Sequence, residues 1–168
     1  MRTTTLMVAG FASMLALAPV AQAATVAGNF NVTVTLTSRC TIAAITDLAF
    51  GTYVAFQGTA QTATPVTATL TCSRGMAPAG ITAAFDTAAP GSTAAGAAAN
   101  AVGAGVLAGL QYDITATPGT VASGAAATAS SIGTADSRPF TISGTMPAGQ
   151  AGDVLASSTQ VRTLTITY

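Results

Sequence analysis

An alternation of apolar and polar residues with a period of two recurs along this chain, and it restricts the possible folds more than any other feature. The first example places Phe30, Val32, Val34 and Leu36 between Asn and Thr residues. Successive side chains of a β-strand point to opposite faces, so the pattern predicts strands with one buried face. Five further runs begin at Val66, Ile81, Leu110, Phe140 and Leu164. We therefore predict an all-β fold.

Glycine and proline fall between these runs, where they favour turns. They stand at Gly51, Gly58, Pro65, Gly75, Pro78, Pro118, Gly119 and Pro147. Thr and Val are abundant inside the runs, and β-branched side chains fit the pleated surface of a sheet. Short strands separated by turns predict an antiparallel sandwich.

Residues 87–109 differ from these runs because they are rich in Ala and Gly and lack strand alternation. We predict a long loop here. Glycines such as Gly103 and Gly105 also argue against a membrane helix over 94–110, because each costs a helix about 1 kcal/mol. A second flexible patch of small residues is predicted from Ser123 to Ala135.

The first residues have the layout of a secretory signal peptide. Arg2 precedes an apolar run from Leu6 to Val20, and Ala21-Gln22-Ala23 forms a small-residue cleavage site. We expect removal of residues 1–23, which would leave residues 24–168, the length of one ordinary domain. We expect the chain to be exported, either to the cell surface or as a secreted protein. Four Arg and five Asp give this mature chain a net charge of −1, without a basic patch for nucleic acid.

Cys40 and Cys72 are the only cysteines. An even count in an exported chain predicts a disulfide, since the compartment is oxidising. Cys40 is in phase with Leu36, and Cys72 is in phase with Leu70, so both sulfur atoms are expected on the buried side of their strands.

The chain contains no His, Lys, Glu or Trp. Ser-His-Asp, Cys-His and Ser-Lys catalytic sites are therefore impossible. The five aspartates stand in separate segments, and we predict that they are solvated turn residues rather than an acid–base pair. No short stretch gathers zinc or calcium ligands. We expect no enzymatic activity, cofactor, metal or small-molecule substrate.

The N-terminal alternation is unusually long, because even-numbered positions stay apolar or small from Val26 to Ile42. Strands in compact domains usually run about 3 to 10 residues. One interpretation is a single long first strand. The other is that the part before Cys40 adds a strand to the sheet of another molecule.

Several short motifs follow one another in a characteristic order along the mature chain. They are Cys40 after the N-terminal run, Phe50-Gly51-Thr52-Tyr53, Leu70-Thr71-Cys72, Leu110-Gln111-Tyr112, Gly144-Thr145-Met146-Pro147-Ala148-Gly149-Gln150 and the terminal Thr163 to Tyr168. With these motifs the chain resembles the spore coat protein U-like family, which includes subunits of archaic chaperone-usher pili. The resemblance spans nearly all of the mature chain.

The resemblance implies an incomplete immunoglobulin-like antiparallel sandwich that lacks its last strand. It also implies that a periplasmic chaperone holds the subunit until the N-terminal donor strand of a neighbouring subunit fills the gap at an outer-membrane usher. The donor segment maps to residues 24–37 and the pilin domain to 38–168. The inserted positions would be Val26, Gly28, Phe30, Val32, Val34 and Leu36, and the groove-edge strand would carry Leu164, Ile166 and Tyr168.

Two functions follow as expectations. The first is a structural pilus subunit, in a polymer of one or several kinds of subunit, that serves adhesion or biofilm formation. The alternative is a self-contained secreted coat protein or carbohydrate-binding sandwich. Sugar binding is disfavoured because aromatic platforms are scarce, with no Trp and only Tyr53, Tyr112 and Tyr168.

Overall fold

The computed structural model describes residues 28–75, 80–88, 91–96, 98–154 and 158–168. The expected signal peptide and Val26 therefore lie outside the described residues. The chain divides into two units, Met1–Thr35 and Leu36–Tyr168. In the first unit, residues 28–35 form no strand, and the side chains of Phe30, Val32 and Val34 are almost fully exposed.

Nine strands form among the described residues of the second unit. They are β1 (Cys40–Ile42), β2 (Gln61–Thr62), β3 (Val66–Cys72), β4 (Thr82–Phe85), β5 (Thr93–Ala94), β6 (Ala101–Leu107), β7 (Leu110–Pro118), β8 (Asp136–Met146) and β9 (Leu164–Thr167). No α-helix occurs in the described ranges. Among those residues, none belongs to a helix of the length and hydropathy that crossing a bilayer requires.

The strands form two antiparallel sheets. The main sheet has the order β1-β3-β8-β7-β6-β5, with β2 also paired to β8, and the small sheet joins β4 to β9. The register aligns Cys40, Cys72 and Asp136 at one end of the main sheet, which we call the Cys40 end. Gln61 pairs with Met146 at the opposite end, which we call the Met146 end. This all-β arrangement is consistent with the predicted immunoglobulin-like sandwich.

The alternating residues build the core as the sequence predicts. Along β3, Ala68, Leu70 and Cys72 are buried, whereas Thr67 is exposed. Phe140 of β8 is the largest fully buried side chain among the described residues. Burying apolar side chains on one face stabilises the sheet by about 25 cal/mol for each Å² removed from water.

Cys40 and Cys72 form the expected disulfide. They are directly opposite each other in the β1–β3 register, so the bond ties β1 to β3 at one end of the main sheet. Cys72 is buried with the apolar residues of β3, which places the disulfide against the core.

The prediction of a loop across residues 87–109 is wrong where β5 and β6 lie, at Thr93–Ala94 and Ala101–Leu107. The glycines of β6 make room for larger side chains. A Cβ atom on Gly105 would lie 2.4 Å from the hydroxyl oxygen of Tyr112 on β7. A Cβ atom on Gly103 would lie 3.2 Å from side-chain atoms of Phe85 and Arg162, which is a tight contact. These glycines reflect tight packing inside a strand, which composition alone cannot distinguish from a loop.

The interpretation of one long first strand is also wrong. Strand β1 has only three residues, and residues 28–39 form no strand. Leu36 is 80 % exposed, so its apolar side chain is not used in the core of this molecule.

Removing the disulfide tests how much of the fold depends on it. For the double variant Cys40→Ala/Cys72→Ala, urea denaturation should give a free energy of unfolding lower by about 3–4 kcal/mol, because the bond closes a loop across 32 residues. The exposed neighbour Thr41→Ala is the control and should change the value by less than about 0.5 kcal/mol. Equal unfolding midpoints for the double variant and the unsubstituted chain would contradict this role.

Candidate strand-binding groove

A groove of about 750 Å³ lies in the second unit, beside the inner face of the main sheet. Its floor includes Ile114, Ile142 and Met146, so it is largely apolar. Two chain segments flank the floor, residues 45–53 and residues 158–164. We call them the first wall and the second wall.

The first wall has no sheet partner among the described residues. No part of it is assigned to a strand, and none of its backbone groups forms a hydrogen bond with another backbone group of those residues. Side chains hold it instead. Gln61 Nε2 donates to the carbonyl of Phe50 at 2.9 Å, and the Tyr53 hydroxyl donates to the carbonyl of Pro147 at 2.7 Å. These side-chain contacts fix the position of the first wall, while its backbone N–H and C=O groups have no backbone partners among the described residues.

Leu48 and Phe50 anchor the first wall to the sheet. The ring of Phe50 lies 5.7 Å from that of Tyr112, between centroids, in a tilted contact. A Cβ atom on Gly144 would lie 2.7 Å from Phe50 and 3.0 Å from Leu48. The absence of a side chain at Gly144 therefore lets both wall residues pack onto β8.

At the Met146 end, the side-chain amide of Gln150 forms the hydrogen bonds with Gln111 that the backbone of a neighbouring strand would otherwise form. Its Oε1 accepts from the N–H of Gln111 at 2.6 Å, and its Nε2 donates to the Gln111 carbonyl at 3.0 Å. The Gln150 N–H also donates to the Tyr53 hydroxyl at 3.1 Å. One glutamine thus satisfies both backbone groups of Gln111 and joins the first wall to β7.

The second wall leads into β9. Within the described part of the chain, β9 pairs only with β4, so its other edge carries no strand. Leu164 and Ile166 are partly buried against the core, and Tyr168 is 61 % exposed. Of the residues predicted for the groove edge, Leu164 and Ile166 belong to β9 and Tyr168 follows it, and Leu164 lines the groove. Their groove-edge role stays a prediction.

Arg162 fastens the second wall to both sheets. Its Nε lies 3.0 Å from Oδ1 of Asp86, next to β4. Its Nη1 donates to the Ala104 carbonyl of β6 at 2.9 Å and to the Tyr112 hydroxyl of β7 at 3.0 Å. The Tyr112 hydroxyl in turn donates to Gln160. The Arg162 side chain is only 10 % exposed, so its charge is held by several partners in a partly dry site.

The pKa of the Asp86 carboxyl is lowered from its ordinary value. The strongest cause is the backbone N–H of Thr163, which donates to Oδ1 at 3.0 Å, and Arg162 adds a further hydrogen bond and its positive charge. Burial opposes the charged form but is outweighed. The ionised carboxylate is therefore part of the folded structure.

Asp136 is likewise not a solvated turn residue. It is 6 % exposed, and its carboxylate accepts from the N–H groups of Gly124 at 2.7 Å and Gly75 at 2.8 Å. These bonds, the one from Gly124 first, lower its pKa. The prediction of solvated aspartates is thus wrong for Asp86 and Asp136, which have structural roles. The described residues contain no cluster of three or more metal-ligating side chains.

The predicted donor residues precede in sequence all the residues that line this groove. Gly28 and the apolar residues Phe30, Val32, Val34 and Leu36 are all exposed, and Val26 lies outside the described residues. Their donor role stays a prediction. Sequence reasoning singled out Gln150 only as part of a motif, and it missed Gln61 and the Arg162–Asp86 pair. No local pattern reveals that Arg162 has a partner 76 residues away.

Residues 26–167 match the family model described as the Spore Coat Protein U domain. No curated protein and no solved structure matches the chain.

The ion pair on the second wall gives a pH-dependent stability. Asp86→Asn should lower the free energy of unfolding at neutral pH by about 1–2 kcal/mol, because it weakens charge-assisted hydrogen bonds. The native pKa of Asp86 is lowered, so its contribution is complete above the unfolded-state pKa and is lost as pH falls through the native pKa.

Urea denaturation of both chains between neutral and acidic pH measures this difference. The exposed Asp113→Asn is the matched control and should follow the unsubstituted chain. A difference between Asp86→Asn and the unsubstituted chain that persists unchanged to the lowest pH would show that the carboxylate charge is not the cause.

Proposed function

The chain belongs to the spore coat protein U domain family, and we propose that it is a structural subunit of a surface pilus. That family includes chaperone-usher pilus subunits and consists of structural pilus and coat proteins. In our proposal, the N-terminal segment of one subunit enters the groove of the next and completes its sandwich. The role is mechanical, and the resulting fibre serves adhesion or biofilm formation.

The observation that carries this proposal is an apolar groove between two segments that lack strand partners on the groove side among the described residues: the first wall has no strand partner, and β9 pairs on one edge only, with β4. Unpaired strand edges bind extended segments readily, because main-chain hydrogen bonds supply affinity and alternate side chains fix the register. The first wall and β9 offer such edges on opposite sides of one floor.

The donor segment has the complementary chemistry. From Gly28 to Leu36 it has nine residues, as many as the first wall, and nine residues of strand extend about 30 Å. Its apolar side chains at Phe30, Val32 and Val34 share one face and are more than four-fifths exposed in this chain. Placing that face on Ile114, Ile142 and Met146 would remove apolar surface of both partners from water.

The open groove also accounts for the helper proteins in this proposal. Before a donor arrives, apolar floor residues and unpaired backbone edges are available for incorrect pairing. A periplasmic chaperone would cover this surface, and an outer-membrane usher would exchange it for the donor segment of the next subunit. The subunit would travel through the periplasm to the cell surface, after removal of residues 1–23.

Charged substitutions in the donor segment test the proposal. At increasing concentration, the mature chain 24–168 should form polymers that elute early from a size-exclusion column and appear as fibres by electron microscopy. Val32→Asp/Val34→Asp should abolish them, because burying each unpaired carboxylate would cost several kcal/mol. Thr33→Asp lies on the opposite, polar face and is the matched control, which should still polymerise.

Two outcomes would contradict the proposal. Polymers of Val32→Asp/Val34→Asp that form as readily as those of the unsubstituted chain would exclude these residues as the inserted face. A mature chain that stays a stable monomer at every concentration would instead favour the self-contained coat protein.

A further inference from the structure

The small residues between β7 and β8 form a hairpin that projects from the sandwich, and we call residues 122–135 the arm. Ala122 and Ser137 form an antiparallel bridge at its base. Thr128 and Ser131 form a second antiparallel bridge at its tip, on either side of a tight turn. The two sides of the arm therefore run alongside each other as in a two-stranded ribbon.

Backbone and side-chain hydrogen bonds fasten the arm from its base outwards. The Asp136 carboxylate accepts from the Gly124 N–H at 2.7 Å, and Arg74 Nε donates to the Gly124 carbonyl at 3.0 Å. Further out, the Thr134 N–H donates to the Ala125 carbonyl at 3.0 Å. These bonds give the arm a defined position at the Cys40 end of the sandwich, where Asp136 lies.

The arm holds this position although it buries almost nothing. All of its residues are exposed except Gly124, which is partly buried, and its largest apolar side chain, Ile132, is 89 % exposed. An isolated two-stranded hairpin is at best marginally stable in water. Burial of apolar surface consequently does not explain the arm, and an ordered projection of this kind points to a role for its surface.

Hydroxyl groups supply all of the chemically reactive side chains of the arm. The sequence between Asp113 and Asp136 contains no charged residue, and residues 122–135 contain no aromatic, amide or thiol side chain. The arm therefore cannot attract an ion by its charge or stack on a ring. The chemistry left to it is that of Ser and Thr hydroxyls, which are sites of covalent modification in many proteins.

Ser130 offers the most available hydroxyl at the tip. The hydroxyl oxygens of Thr128 and Ser131 are hydrogen-bonded to each other at 2.8 Å. The Ser130 hydroxyl lies 3.5 Å from that of Thr128, which is longer than an ordinary hydrogen bond between hydroxyl groups. Its neighbour Ala129 is small, and both are exposed in the turn, so an enzyme can reach the Ser130 oxygen without unfolding the arm.

The compartment selects among the modifications that a hydroxyl group can receive. The chain belongs to a family of exported surface and coat proteins. Phosphorylation needs ATP, which is a cytoplasmic nucleotide, whereas sugars that are attached to a lipid diphosphate can be transferred outside the cytoplasmic membrane. Acylation would add further apolar surface to an already exposed arm. Transfer of a sugar fits the compartment and makes the arm more hydrophilic.

The composition of the mature chain gives such a sugar a physical role. Four Arg and five Asp leave a net charge of −1. Proteins with a net charge near zero associate and precipitate readily, because little electrostatic repulsion keeps them apart. A neutral glycan supplies a hydrated surface that this sequence does not obtain from charge.

We propose that Ser130 is the attachment site of an O-linked glycan. A glycosyltransferase that faces the periplasm would bind the tip of the arm together with a sugar carried on a lipid diphosphate. The Ser130 oxygen attacks C1 of the sugar, and the new C1–O bond replaces the bond from C1 to the diphosphate. The electron pair of the broken bond leaves with the diphosphate, and a base of the enzyme takes the hydroxyl proton.

The glycan site is separate from the groove. No residue of the arm lines the groove, so a glycan on Ser130 leaves its floor and both walls accessible. The inference requires export of the chain but not its polymerisation. It therefore goes beyond the proposed function and is tested independently of it.

Intact-mass spectrometry of the mature chain, purified from the organism that makes it, tests this inference. The disulfide-bonded chain should be heavier than its sequence by a whole number of sugar residues, and electron-transfer fragmentation should place them on Ser130. Ser130→Ala should return the chain to the mass of its sequence. Ser130→Thr, which keeps a hydroxyl group, should retain the added mass. Ser123→Ala, an exposed serine near the base of the same arm, is the matched control and should also retain it.

Thermal unfolding excludes misfolding as the cause of a lost glycan. Unmodified Ser130→Ala should have the thermal midpoint of the unmodified unsubstituted chain, because the Ser130 hydroxyl makes no close contact. Precipitation by ammonium sulfate measures the solvating role, and Ser130→Ala from the same organism should precipitate at a lower salt concentration than Ser123→Ala.

Two results would overturn the inference. The first is a chain from its own organism whose mass equals that of its sequence. The second is an added mass that persists in Ser130→Ala, because the modified residue would then lie elsewhere. Both masses can be read from monomers as well as from polymers, so a chain that never polymerises removes the proposed function and leaves the glycan site standing.

Discussion

Unpaired backbone along the groove is the constraint on which the rest of this structure depends. The first wall and the free edge of β9 leave amide and carbonyl groups without backbone partners in the described part of the chain. Burying such a group unsatisfied costs about 1–3 kcal/mol. The sandwich therefore stays open to water along this groove, and in the proposed function the N-terminal strand of a neighbouring subunit supplies the missing hydrogen bonds.

Polar side chains keep the two walls apart and in position. In the first wall, the Phe50 carbonyl accepts from Gln61, and the Tyr53 hydroxyl donates to the Pro147 carbonyl. The Gln150 N–H donates to the same hydroxyl. Arg162 holds the second wall through Asp86 and the carbonyl of Ala104. Because these contacts join the walls to the neighbouring strands and loops, they fix the shape of the groove and do not fill it.

The strands were predictable where alternation reports burial directly. Strand β3 begins and ends where the pattern from Val66 to Cys72 does, because each inward position carries an apolar side chain. Strand β6 was missed because its inward glycines make room for side chains of other segments, Tyr112 at Gly105 and Phe85 at Gly103, which is a tertiary requirement. The Arg162–Asp86 pair was also missed. It joins segments that are 76 residues apart, and no period in the sequence encodes it.

Amide hydrogen exchange along the two walls tests the central claim most directly. The mature chain carrying Val32→Asp/Val34→Asp would be compared before and after addition of the peptide of residues 24–37. The account predicts that amides of residues 45–53 and of β9 exchange quickly without the peptide and become protected with it, while those of β3 are protected throughout. Wall amides whose exchange the peptide leaves unchanged would contradict the claim that this groove binds the N-terminal strand.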